Sequence, residues 1–158
     1  MIFDVESIGL WGEGFCVGWI IYDSETNDVF KDGFPKCLGL AVCSPKSAKG
    51  TTRDRQWVGQ NVRNMSELNC DSPLEVRSHF WNSYEAWGKP PLMADVGFPV
   101  EYNFLREVYR DDKRRQMPYP LLDASSVRLA MGRNPLGDYE SSHDTIEDVR
   151  LTFNSIRL

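Results

Sequence analysis

The stretch Met1-Ile2-Phe3-Asp4-Val5-Glu6 decides the reading of this chain. An apolar run of β-type residues enters Asp4-Val5-Glu6. Strand side chains alternate between faces, so Asp4 and Glu6 point the same way. Two carboxylates side by side at a strand end repel each other. They are tolerated where water solvates both, or where a divalent cation sits between them.

The rest of the chain sets the frame. It has 158 residues, the size of one domain, with 41% hydrophobic and 26% charged residues, as in a folded globular protein. No apolar run approaches the roughly 18 residues of a membrane span, and Asp4 leaves no room for a signal peptide. Cys16, Cys37, Cys43 and Cys70 lack C-x-x-C spacing, which predicts reduced thiols in a cytoplasm rather than a zinc site. The net charge of -5 argues against holding nucleic acid by bulk electrostatics. It leaves open a protein that reaches phosphate through bound metal, which inverts the local charge.

Residues 15–22 read as a second strand, 23–28 as a turn, and 29–34 as a third strand completing a meander. Between Cys37 and Met65 the pattern is poor. Lys46, Lys49, Arg53 and Arg55 make it basic, and Trp57 follows; a basic stretch with an aromatic can contact a nucleic-acid strand, but a solvated surface loop is the commoner explanation and the expectation. Ser72-Pro73-Leu74-Glu75 starts a helix, with a serine cap, proline at the first position and glutamate at the third. Leu74, Phe80, Trp81, Tyr84 and Trp87 recur along it as core positions, and Gly88 ends it. Residues 91–96 form a short buried strand ending near Asp95. Val100, Phe104, Leu105, Val108 and Tyr109 mark one face of the next helix, with Glu101 in its first turn. The run 111–115 reads as that helix's solvated end. Residues 119–123 form another strand, and 125–131 a short helix.

Asp144 with Glu147 resembles a capping box, so the last helix begins near Thr145. Inside a helix, His143 and Asp148 would diverge by about 140°. With His143 outside it, both can face one site. Three strands, helix, strand, helix, strand, helix make an α/β fold: a mixed sheet, part antiparallel meander and part parallel, flanked by helices.

These residues resemble the DEDDh exonucleases of the ribonuclease H-like superfamily (DnaQ-like or RNase T-like). Asp4-Val5-Glu6 matches the D-x-E motif of the first strand, and Ser7-Ile8-Gly9-Leu10 follows as it often does in that family. His143 to Asp148 matches H-x(4)-D, with Val149-Arg150 trailing it. The resemblance covers nearly the whole chain as a single domain and implies a ribonuclease H-like sheet.

The second motif departs from the family. Aligning Phe104-Leu105 puts Glu101 where an aspartate usually opens the helix. Asp95 falls at the preceding strand end and has the shorter side chain of the usual ligand. Either can serve, and the metal set is written with Asp4, Glu6, Asp95 and Asp148.

The resemblance implies a metal-dependent 3′-to-5′ exonuclease acting on single-stranded DNA or RNA and releasing nucleoside 5′-monophosphates. Two divalent cations, Mg²⁺ or Mn²⁺, would serve it. His143 would be the general base, and Leu10 or Trp11 would pack on the terminal base. A homodimer is allowed by analogy. The alternative is a non-catalytic nucleic-acid-binding or interaction module with a degenerate exonuclease site.

Overall fold

The computed structural model describes residues 1–22, 30–31, 34–35, 37–63, 67–138 and 142–156. The turn expected at 23–28 and residues 29, 32 and 33 of the third strand expected at 29–34 lie outside these residues.

The chain forms an α/β fold around a five-stranded mixed sheet. The strands are β1 (Ile2–Ser7), β2 (Gly14–Ile21), β5 (Cys37–Val42), β6 (Met93–Ala94) and β7 (Leu122–Asp123), in spatial order β5-β2-β1-β6-β7. β1, β2 and β5 pair antiparallel, whereas β6 and β7 run parallel to β1. Two short strands, β3 (Phe30–Lys31) and β4 (Phe34–Pro35), pair with each other apart from the sheet.

The third strand of the meander is therefore β5, later than the sequence suggested and inside the stretch with a poor pattern. Gly39 explains the weak signal. It stands opposite Trp19, and a Cβ there would fall 2.0 Å from the indole ring. The glycine that lowers strand propensity is the one that makes room for the tryptophan. β5 is a sheet edge, and Asn69 covers part of it. Its side chain accepts from the Val42 amide at 2.8 Å and donates to the Leu40 carbonyl at 2.8 Å.

A second difference lies in the basic stretch, where a loop was expected. The structure has a helix, α1 (Thr52–Asn61). Thr51 caps it, accepting from the Asp54 amide at 3.1 Å and donating to Asp54 Oδ2 at 2.6 Å. Val58 is its one buried residue, so no apolar periodicity announces it.

The remaining helices are α2 (Pro73–Ala86), α3 (Val100–Asp111), α4 (Ala124–Ala130) and α5 (Thr145–Ile156). Ser72 accepts from the Glu75 amide at 3.3 Å and caps α2 as the sequence implied. Leu74 and Trp87, read as core, are about half exposed at the two ends of α2.

The two sheet faces follow the strand alternation. Phe3, Val5, Phe15, Val17 and Trp19 meet Phe80 of α2 and Phe104 of α3 in the main core. Ile2 and Ile20 on the opposite face meet Val149 and Phe153 of α5. Asp4 and Glu6 share the α5 face with Ile2. Asp4 pairs with Gly18 across the ladder. A Cβ on Gly18 would stand 2.8 Å from the Thr145 backbone, so the missing side chain is what lets α5 start directly on the sheet beside Asp4. No helix among the described residues is long and apolar enough to cross a membrane.

Candidate metal centre

One carboxylate oxygen from each of Asp4, Glu6 and Asp148 lies within 4.8 Å of the other two. Among the described residues no other group of three His, Cys, Asp or Glu side chains converges this way. The strand alternation of β1 supplies two of the three. The second turn of α5 supplies the third, seated close by the contact at Gly18.

Local hydrogen bonds fix Asp148. Asp144 Oδ1 accepts from the amides of Ile146 at 3.1 Å and Glu147 at 3.2 Å, which caps α5 as expected. Asp148 Oδ1 accepts from the Ser142 amide at 3.1 Å and hydroxyl at 3.2 Å. The helix start and the acid are thereby held to one loop.

Glu101 of α3 lies outside that group of three but near enough to repel Asp4 and Glu6. It is 5% exposed, and the backbone amides of Glu101 and Val5 favour its charged form. Burial pushes its carboxyl up to about 7, with repulsion from Asp95 and Asp123 adding to it and the amides opposing it. Burial pushes Glu6 up to about 8, helped by Asp148, Glu101 and Asp144. Asp4 is held well above the usual carboxylate range, by burial first and then by Glu101, Glu6, Asp148 and Asp95. These shifts mark a site where negative charge is packed without enough positive charge. Among the described residues no lysine or arginine pairs with Asp4 or Glu6.

The donor set suits a hard divalent cation. Oxygen ligands surround Mg²⁺ at about 2.0–2.1 Å and Ca²⁺ at about 2.3–2.6 Å. Donors on opposite sides of one ion are thus about 4–5 Å apart, the spread found here.

Asp95 has a different environment. Its Oδ1 accepts from Arg128 Nη1 at 2.9 Å and from the Thr152 hydroxyl at 2.8 Å. Arg128 is fully buried and also donates to the Pro135 carbonyl at 2.9 Å and the Ser155 hydroxyl at 3.1 Å. The Asp95 carboxylate is the counter-charge of this guanidinium, and the structure does not bring it into the group formed by Asp4, Glu6 and Asp148.

His143 sits outside α5, as predicted, with its backbone in the left-handed region at φ 50°. Its Nδ1 is 3.4 Å from Glu6 Oε1. Its ring meets Trp57 of α1 edge to face, with centroids 5.0 Å apart. Trp57 was not read as part of the site, because α1 itself was not recognised. The available signal was the Thr51-x-x-Asp54 cap, which places Trp57 on a helix.

A cavity of about 490 Å³ opens beside the cluster, lined by Glu6, Leu10, Arg53, Trp57, Val100 and His143 among others. Leu10 is 64% exposed at its rim. Trp11 does not line this cavity. It leans on Phe98, with centroids 5.6 Å apart, and lines a separate cavity instead. Comparison of the chain with protein-family models, with curated proteins and with solved structures finds no match.

Proposed function

We propose that this protein is a metal-dependent 3′-to-5′ exonuclease of the DEDDh type. The observation that carries this reading is the convergence of Asp4, Glu6 and Asp148 within 4.8 Å, with His143 3.4 Å from Glu6. The sheet order β5-β2-β1-β6-β7, antiparallel on one side of β1 and parallel on the other, is compatible with a ribonuclease H-like arrangement.

Asp4, Glu6, Asp148 and Glu101 would hold divalent cations, Mg²⁺ or Mn²⁺. Glu101 takes the fourth place in preference to Asp95, because Asp95 already neutralises Arg128. When bound, such ions neutralise charge on the phosphoryl group and favour formation of the attacking hydroxide. His143 accepts the proton of the attacking water. Attack at phosphorus breaks the bond to the 3′-oxygen of the preceding nucleotide and frees a nucleoside 5′-monophosphate. The cavity beside the cluster takes the terminal nucleoside. Leu10 lies against its base, and Trp57 holds the imidazole from behind.

The test uses single-stranded DNA and RNA oligonucleotides labelled at the 5′ end, in Mn²⁺, in EDTA, and with His143→Ala. The reading expects a ladder shrinking from the 3′ end that disappears in EDTA and with the variant. Intact oligonucleotides in Mn²⁺ with folded protein would replace it by the non-catalytic module.

A further inference from the structure

The second cavity, about 310 Å³, is lined by Trp11, Lys49, Arg77, Phe104, Arg106 and Arg110 among others. Arg77 is buried and occupied, donating to Glu13 at 2.9 Å and to Asp111 through two nitrogens. The remaining cations are Lys49, Arg106 and Arg110. Two carboxylates line the same cavity: Glu13, which pairs with Arg77, and Glu107, 2.7 Å from Arg110 and 3.7 Å from Arg106, against the four cations Lys49, Arg77, Arg106 and Arg110. The cavity is thus locally cationic on a chain whose net charge is -5.

Exposed aromatic rings border it. Trp11 is 71% and Phe98 61% exposed, and Tyr102 is nearly half exposed. The rings form a chain of contacts: Trp11 to Phe98 at 5.6 Å, then Phe98 to Tyr102 at 6.2 Å. Large apolar rings left in water as one patch mark an interaction surface. Tyr102, Arg106 and Arg110 recur every four residues and form one stripe of α3 about 12 Å long. The stripe starts one residue past Glu101. Leu10 and Trp11, adjacent in sequence, line one cavity each.

From this continuity we propose that the Trp11–Phe98–Tyr102 rings and the Lys49–Arg106–Arg110 cavity form a track for the single-stranded nucleic acid upstream of the terminal nucleotide. Bases stack on the rings, since every base has a π-face. Phosphates draw Arg106 and Arg110 away from Glu107, because guanidinium forks match phosphate as well as carboxylate. The inference rests on the exonuclease reading for the polarity of the strand. A protein partner would suit the rings, but gains less from a cavity beside them in which cations outnumber carboxylates.

The test measures binding rather than hydrolysis. Fluorescein-labelled octathymidylate with phosphorothioate linkages is titrated with protein in Mn²⁺ and again in EDTA, and anisotropy is recorded across a salt series. The probe should bind wild type. Arg106→Ala combined with Arg110→Ala should weaken binding at least tenfold and reduce the salt slope by about 1.4, at about 0.7 per phosphate contact. Phe98→Ala should weaken it about tenfold through lost stacking. Lys89→Ala, an exposed cation at the far end of α2, should bind as wild type does. These side chains are exposed, so the variants keep the fold, checked by thermal melting. Loss of binding in the variants supports the track even if no ladder ever appears, which would sink only the enzyme reading. Equal binding by wild type and the arginine variant, or no binding by wild type, overturns the track and assigns the aromatic face to another protein chain.

Discussion

Gly18 and Thr145 touch backbone to backbone: a Cβ on Gly18 would lie 2.8 Å from the Thr145 carbonyl carbon and oxygen. Gly18 is also the cross-strand partner of Asp4. This contact sets the distance between the strand acids and Asp148, three residues along α5. Gly18→Ala should therefore lift the helix start from the sheet. The expected cost is about 1–3 kcal/mol of stability in urea unfolding. Mn²⁺ affinity, measured by calorimetry, should fall well beyond that of Gly59→Ala, where the added methyl meets open space. Unchanged affinity in a folded Gly18→Ala protein would show that the carboxylate spacing does not matter.

The two acids of the second motif should separate cleanly. Asp95→Ala leaves the buried Arg128 guanidinium without its carboxylate. Loss of one member of a buried pair costs about 3–5 kcal/mol, which denaturant unfolding should detect. Glu101→Gln removes a charge from a cluster that repels it. It should preserve or raise stability in EDTA while abolishing most Mn²⁺ binding. The reverse pattern would return the metal-ligand role to Asp95.

Removal of metal should make stability depend on pH in a particular direction. Glu6 is pushed up to about 8 and Glu101 to about 7 in the folded chain, whereas unfolded carboxylates titrate near about 4. Between these values the folded form holds protons that the unfolded chain has released. Stability from this source is complete below about pH 4 and is lost as pH rises through about 7 to 8. The melting temperature in EDTA should accordingly fall from about pH 5.5 to 8.5. Added Mn²⁺ should restore it, and by more at the higher pH. A metal-free protein whose melting temperature rises over that range would contradict the folded-state protonation of the cluster.

His143 and Trp57 should act together. His143→Ala should reduce turnover by about a hundredfold or more, the usual scale for a lost general base. Trp57→Ala leaves the imidazole present but without its edge-to-face support, so a smaller loss of about tenfold is expected. The double variant should be no worse than His143→Ala alone. Additive losses in single-turnover kinetics would mean that Trp57 serves the substrate rather than the histidine.

Much of this architecture was legible along the chain. Alternation in β1 placed Asp4 and Glu6 on one face, and the Asp144 cap placed His143 outside α5 and Asp148 inside it. Each is a relation among residues a few positions apart, where strand pleat, helix pitch and capping geometry act. Three features were decided only by the fold. β5 was obscured because Gly39 answers to Trp19 on the neighbouring strand. α1 was obscured because it buries a single side chain, so the hydrophobic effect left no period in its sequence. Asp95 meets Arg128, far along the chain from it, whereas Glu101 is buried near Asp4 and Glu6 of β1. Propensity and periodicity are written in neighbouring residues, but whether a carboxylate meets a guanidinium or other carboxylates depends on distance through space. That charge balance came only with the packing of α3, α4 and α5 around the sheet.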